Sequence, residues 1–274
     1  MAREIAGKVI IVTGASSGIG KDTALLLGRE RARLVLVARR SGPLEDLQKK
    51  IQNSGGTAVS MPLDLSERNN VQRMIAETGD RFGRIDILIN NAAFGFFGTV
   101  EHTPPDVVRD IFDVNFDAPL FAMQLVVPIM REQGSGHIIN ISSVAGKRGL
   151  PLSGIYSATK FALDAITQAL RLELKDSGID VSIINPAATD TSFADNIRRS
   201  DVGGRFKPLG HMQSSEKVAQ VIVDCVRNPK IEVYPYRVSR IFAWLNVIAP
   251  SLLDKIMLPY MRDRLRAKTE AVGD

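Results

Sequence analysis

Seven short, predominantly apolar runs, separated by stretches each long enough for a helix, govern what this chain can become. The runs are Val9–Val12, Leu34–Val37, Thr57–Met61, Ile85–Ile89, His137–Ile141, Val181–Ile184 and Lys230–Val233. Most are continuous in apolar character instead of alternating with polar residues, the pattern of strands buried on both faces. Strand–helix alternation joins such strands by parallel crossovers. The expected fold class is therefore α/β: a Rossmann-type, doubly wound, seven-stranded parallel sheet in a three-layer α/β/α arrangement. Ligands of such sheets bind outside the carboxyl ends of the strands. The chain is long enough for one such domain, and at 45% hydrophobic it is too apolar for a disordered polymer. Residues 1–236 are assigned to this domain and 237–274 to a C-terminal helical extension of it.

The helical stretches carry their own signals. Gly18–Arg31 follows a glycine-rich turn, and Pro104-Pro105 opens a segment reaching Glu132. Ser157–Asp176 repeats small and apolar residues at helical spacing and stops at Ser177-Gly178, a C-terminal cap. Residues 188–216 lack a long periodic element, as a lid or a plain surface excursion would. No repeat or low-complexity linker divides the chain.

The first run passes directly into Thr13-Gly14-Ala15-Ser16-Ser17-Gly18-Ile19-Gly20. Glycines there permit a tight turn and bring backbone N–H groups close to a pyrophosphate. The helix that starts at the turn adds the positive end of its dipole. A glycine triplet alone is a weak signal, but between an N-terminal strand and a helix it is strong. The spacing is Gly-x-x-x-Gly-x-Gly, and here the sequence resembles the short-chain dehydrogenase/reductase family over residues 5–235. The resemblance implies that Asp64-Leu65, ending the third strand, meets the adenine of a nicotinamide dinucleotide. It also implies that Asn91 and Ala92, ending the fourth, line the same cofactor. Ala93 stands where the family usually has glycine.

The second strand ends Val37-Ala38-Arg39-Arg40. An NAD-preferring site places a carboxylate near this point to accept from the adenosine ribose. Ala38 cannot do so, whereas Arg39 is able to pair with a 2′-phosphate. Ser16 or Ser17 adds a hydroxyl and Arg40 a looser charge. The resemblance implies NADP(H) in preference to NAD(H).

The fifth strand finishes at Ser142-Ser143, and Tyr156-Ser157-Ala158-Thr159-Lys160 follows. Tyrosine and lysine four residues apart share a helical face. Reduction of a ketone requires a proton at the carbonyl oxygen, and a phenol with pKa near 10 is a poor donor at neutral pH. A nearby ammonium is expected to lower that pKa. Lys160 also reaches a nucleotide ribose, and Ser143 hydrogen-bonds the substrate oxygen. Periodicity does not separate Ser142 from Ser143; the resemblance selects Ser143, thirteen residues before the tyrosine. It implies further that Asn115 holds a helix irregularity supporting a proton relay from Lys160; the alternative is a core asparagine satisfying main chain. In Pro186-Ala187-Ala188-Thr189-Asp190-Thr191 it implies that Pro186, Thr189 and Thr191 hold the nicotinamide carboxamide, with Ala187 in place of a usual glycine. The family habit of pairing subunits through helices matching Pro105–Glu132 and Ser157–Asp176 implies a homodimer or homotetramer.

Other features bound the reading. Cys225 is the only cysteine, which excludes an internal disulfide and fits a reducing, cytoplasmic setting. The start lacks the apolar core of a secretory leader. The net charge of +5 is mild, and no basic run is interleaved with aromatics, so nucleic acid is not an expected partner. His102, His137 and His211 have no companions at ligand spacing, so no metal is expected. Beyond the last strand, Ile241–Leu253 carries no charge and is interrupted by Pro250. Arg237, Arg240, Lys255, Arg262, Arg264, Arg266 and Lys268 flank it. Two short amphipathic helices fit, acting as a pocket flap, a subunit contact or a peripheral membrane contact through 237–268. With Phe94, Phe96, Phe97 and Phe193, they point to an apolar substrate. The expected activity is an NADPH-dependent ketone reductase or the reverse alcohol dehydrogenase on a small-molecule carbonyl or alcohol. A membrane-peripheral lipid or 3-oxoacyl reductase and a nonenzymatic cofactor-sensing protein are the alternatives.

Overall fold

The computed structural model describes residues 2–193, 197–199 and 212–269, with side chains described as far as Pro259. His211, Arg262, Arg264, Arg266 and Lys268, all noted in the sequence, lie outside the described side chains. In chain order the elements are β1 (Val9–Thr13), α1 (Gly18–Arg29), β2 (Arg33–Ala38), α2 (Ser41–Asn53), β3 (Thr57–Pro62), α3 (Arg68–Phe82), β4 (Ile87–Asn90) and β5 (Phe96–Phe97). Then come α4 (Pro105–Phe112), a π-turn (Asp113–Asp117), α5 (Ala118–Glu132), β6 (Gly136–Ile141), a 3₁₀ turn (Val144–Gly146), α6 (Gly154–Glu173) and β7 (Ile179–Ile184). The two-residue strands β8 (Thr189–Asp190), β9 (Arg198–Arg199) and β10 (Gln213–Ser214) precede α7 (Ser215–Arg227), β11 (Glu232–Val233), α8 (Arg237–Ile248) and α9 (Pro250–Thr269).

Seven strands form one sheet in the order β11-β7-β6-β4-β1-β2-β3, every pair parallel. The order reverses between β1 and β4, so a crevice opens at the carboxyl edge beside β1. All five residues of β1 are buried, as are all of β4 and β6. One core lies on the face where α1, α2 and α7 pack and includes Leu27, Leu34 and Ile222. The other lies against α3, α5 and α6 and includes Met74, Val126 and Ile138. These are the three layers expected of continuous apolar strands.

The segment Pro105–Glu132 is not one helix. It is broken by the π-turn at Asp113–Asp117, whose centre Asn115 is buried. Helix α6 begins three residues before Ser157, and its exposed side carries Ala158, Phe161, Ala165, Ala169 and Leu172. At the C-terminus α8 and α9 meet at a bend of 119°, and among the described residues no single helix is long and apolar enough to cross a membrane. Helix α9, at 20 residues, is longer than the short helix expected.

Candidate active site

Because the central strands are parallel, their carboxyl ends bring distant motifs to one edge. Thr13 is the organising residue at the end of β1, and the sequence reading missed it. Its Oγ1 accepts from Asn91 N at 2.9 Å and from Ala92 N at 3.0 Å, and donates to Ile89 O at 3.3 Å. Asn91 answers by donating from Nδ2 to Thr13 O at 2.9 Å. The β1 and β4 loops are thereby stitched together. Gly14 lies at φ +66, and a Cβ on it would sit 2.8 Å from Ala92 Cα. A Cβ on Gly20 would sit 2.4 Å from Gly14 O. Nothing larger than hydrogen fits at either position.

Helix α1 starts at Gly18 with Ser17 as an extended N-cap that makes no side-chain cap hydrogen bond. Its first N–H groups therefore face the crevice without a side-chain cap, an arrangement suited to an anionic group. Ser16, Ser17 and Ile19 are half-buried around this opening. Arg39 and Arg40 are exposed at the end of β2, and among the described residues neither has an ion-pair partner. Asp64, just past β3, accepts from Ser66 N at 3.1 Å and Ser66 Oγ at 2.9 Å, which fixes its loop, while Leu65 is buried. Beyond β7, Pro186 is buried, Thr189 Oγ1 donates to Ala187 O at 2.9 Å, and Thr191 Oγ1 accepts from Phe193 N at 3.2 Å. A Cβ on Gly18 would come within 3.0 Å of the Thr191 side chain. The glycine turn and the Thr191 loop therefore face each other across the crevice. Uncapped N–H groups, unpaired arginines and a cleft that requires glycine fit a nicotinamide dinucleotide.

The chemical groups stand beside this crevice. Ser143 caps the 3₁₀ turn, its Oγ accepting from Ala145 N at 3.1 Å. The loop after this turn carries Leu152 at φ +63, an uncommon conformation for a branched side chain. It is held there by Gly98 N, which donates to Leu152 O at 2.8 Å, and by packing of Leu152 against Phe97. The loop then enters α6 and delivers Tyr156 and Lys160 one turn apart. The Tyr156 phenol interacts with Ser143 by a hydrogen bond and packs on Phe193 with ring centroids 5.8 Å apart. Lys160 is buried, donates from Nζ to Ile141 O at 2.9 Å, and lies 5.8 Å from the centre of the Tyr156 ring.

The electrostatic expectation for the tyrosine is overturned. Burial pushes Tyr156 up to about 12, and only the Ser143 hydrogen bond opposes it. Lys160 moves the other way, to about 8, because burial penalises its charge more than Asp164 restores it. The lysine's hydrogen bond is spent on a main-chain carbonyl, and at both groups desolvation outweighs what opposes it.

Asn115 sits at the centre of the π-turn, the helix irregularity expected of it, and its side chain satisfies main chain. Its Oδ1 accepts from Phe94 N at 3.0 Å, and its Nδ2 donates to Phe94 O at 2.9 Å and Thr159 Oγ1 at 3.2 Å. Thr159, absent from the sequence reading, thus links the π-turn to the catalytic helix. Phe96 and Phe97 are 3% and 2% exposed and belong to packing clusters, which removes them from the pocket lining expected of them. Phe94 and Phe193 remain half-buried near Tyr156. His137 is buried, shares a 2.8 Å hydrogen bond with Ser182, and is pushed down to about 4 by burial, so it is neutral.

An ion cluster behind Lys160, buried at Asp164 and open to solvent at Glu232, also went unread. Lys147 Nζ lies 2.6 Å from both Asp164 Oδ2 and Glu232 Oε1. Asn185 Nδ2 donates to Glu232 at 2.9 Å. Next to Lys147, Arg148 binds Asn246 of α8 and Asp254 of α9, and Asn246 Nδ2 returns a bond to Lys147 O at 2.9 Å. The loop after Ser143 is therefore clasped to α6, to β11 and to the C-terminal hairpin. No sequence signal announces these pairs, which lie far apart in the chain.

Comparison with known proteins places this geometry among relatives. The short chain dehydrogenase family model matches residues 8–201. Dehydrogenase/reductase SDR family member 7B of Mus musculus is 32% identical over 270 residues, covering 95% of this chain and 83% of that protein. Ketoacyl reductase HetN of Nostoc is 30% identical, covering 92% of this chain and 88% of that protein. A metagenomic short-chain oxidoreductase solved in complex with NADP superimposes with a TM-score of 0.73 at 29% identity, covering 85% of this chain and 99% of that one.

Proposed function

The chain belongs to the short-chain dehydrogenase/reductase family, oxidoreductases acting on CH–OH groups, and on that premise we propose that it is an NADPH-dependent reductase of apolar ketones. The observation that carries the reading is the meeting of Ser143, Tyr156 and Lys160 beside the glycine turn at one sheet edge. NADPH is favoured by the exposed Arg39 at the end of β2, where Ala38 leaves no carboxylate to accept from a ribose hydroxyl. Gly14, Ser16, Ser17, Gly18, Ile19 and Gly20 would hold the pyrophosphate. Arg39 and Arg40 would hold the 2′-phosphate, Asp64, Leu65, Asn91 and Ala92 the adenosine half, and Pro186, Thr189 and Thr191 the carboxamide.

The dinucleotide supplies the hydride. Ser143 donates a hydrogen bond to the substrate oxygen and stabilises negative charge as it develops there. The Tyr156 hydroxyl passes its proton to that oxygen, completing the alcohol. The phenol is protonated at neutral pH, the form that reduction consumes, but held near 12 it is a weaker donor than a free tyrosine, so the reaction needs the cations that would lie beside it in the complex. Lys160 orients the nucleotide ribose and, as a cation, favours the phenolate that remains. Asn115 is a positioning residue: it fixes the π-turn against Thr159, and so the base of α6. Phe94 and Phe193, half-buried beside Tyr156, would give the pocket an apolar wall. The stripe of Phe161, Ala165, Ala169 and Leu172 on α6 suits pairing with a second subunit, giving a homodimer or homotetramer. This reading carries with it a cytoplasmic enzyme whose extension, residues 237–274, belongs to the same domain.

The test is Tyr156→Phe, assayed by NADPH absorbance against sterol, 3-oxoacyl, sugar and aromatic ketones. Turnover is expected to fall by about 10² or more, with NADPH affinity unchanged. Retained turnover refutes the acid. Tight NADPH binding with no turnover in the wild type across all four classes would make the protein a cofactor binder instead.

A further inference from the structure

Helices α8 and α9 touch the rest of the protein along a narrow face. Ser239 and Ala243 of α8 and Leu253 and Met257 of α9 are buried there. The opposite face is apolar and open. Ile241 is 68% exposed, Trp244 61%, Val247 80% and Ile248 77%, and across the bend Leu252 and Ile256 are 50% and 59% exposed. The charges around the patch are unequal. Arg237, Arg240 and Lys255 are exposed, and Arg240 lies 5.9 Å over the Trp244 ring. Asp254 is the one acid between residues 237 and 259, and Arg148 already holds it. Soluble surfaces do not ordinarily leave a contiguous apolar stripe bare.

We infer that the α8–α9 hairpin is a docking face for an anionic lipid bilayer surface. The bend of 119° and the interrupting Pro250 prevent the pair from forming one straight span, so the two helices lie in the interface plane. Tryptophan beside arginine is the side-chain pairing that suits the headgroup level, with the aliphatic residues below it. The three bases complement a negative surface, and the acid among them, Asp254, is taken up by Arg148. A second copy is a poorer occupant. Two-fold pairing of this face would set the same cations against each other, and α6 already offers an uncharged stripe for self-association. The clasp from Arg148 to Asn246 and Asp254 places the bilayer contact directly behind the loop after Ser143. The inference does not depend on the chemistry of the site.

The full-length chain is sedimented with vesicles of phosphatidylcholine alone and of phosphatidylcholine with about one quarter phosphatidylglycerol. Binding is expected to the anionic vesicles and to weaken with salt. Arg237→Gln with Arg240→Gln is expected to weaken it about twenty-fivefold, from roughly fivefold per surface charge. Trp244→Glu with Ile248→Glu is expected to abolish it, with NADPH binding and sedimentation coefficient retained. Should the glutamate pair misfold, the arginine pair, which leaves the packed face intact, still decides. No binding to anionic vesicles, or binding indifferent to both pairs, overturns the inference. Loss of self-association in the glutamate pair with vesicle binding unchanged overturns it in favour of a second copy.

Discussion

Lys160 offers a quantitative test of how the site is built. Its side chain is 2% exposed, and burial carries its pKa from 10.5 to about 8. Between those values the unfolded chain holds a proton that the folded chain has released. Stability must therefore rise with pH across that window. Below it, both states are protonated and the folded protein bears the full cost of a buried ammonium. Above it, neither is protonated and the cost is gone. The gap corresponds to about 3 kcal/mol. Lys160→Met keeps the length of the side chain and removes the titration. Every other titrating group is common to both proteins, so subtracting one denaturation curve from the other isolates Lys160. Urea unfolding is measured from about pH 7 to about pH 10.5. The wild type is expected to gain about 3 kcal/mol relative to the variant over that range. A difference that stays flat would show that the lysine is not desolvated. A wild type that loses ground would show that Asp164 outweighs burial.

Three other outcomes are dictated by the geometry. Gly20→Ala forces a methyl group to within 2.4 Å of Gly14 O and 2.5 Å of Asn91 Nδ2, and should cost about 1–3 kcal/mol in chemical unfolding together with cofactor affinity. Lys147→Met leaves the buried Asp164 carboxylate without its cation and should cost about 3–5 kcal/mol, while Glu232 stays open to solvent. Adding Asp164→Leu should return part of that loss, and a strictly additive double variant would show that the pair is not coupled. Arg39→Asp should weaken NADPH far more than NADH in fluorescence titration; equal effects would remove the 2′-phosphate role.

What was legible in the sequence depended on distance along the chain. The strands were readable because burial on both faces leaves a local mark: Val9 through Val12 are each fully buried, as their unbroken apolar run required. The glycine turn was readable because its constraint is local too. Tyr156 and Lys160 were placed correctly as neighbours by helical spacing. Their ionisation was misjudged because spacing says nothing about the packing of Phe193 and the lid of main chain above Lys160, and these decide the desolvation. Lys147 was invisible for the same reason: its partners Asp164 and Glu232 arrive from another helix and another strand. Thr13 was read only as the first residue of the glycine turn, and only the approach of β4 reveals the two N–H groups it serves.

The π-turn at Asp113–Asp117 makes chain length itself a design variable. A turn of this kind accommodates one residue more than a regular α-turn, and each residue rotates the downstream helix by about 100°. Shortening the segment by a single residue would restore an unbroken rod, yet swing Val126 and Met130 away from the sheet they cover. The surplus residue thus sets the angular phase between two halves of one rod, letting the first half pack against Phe96 and the second serve the core.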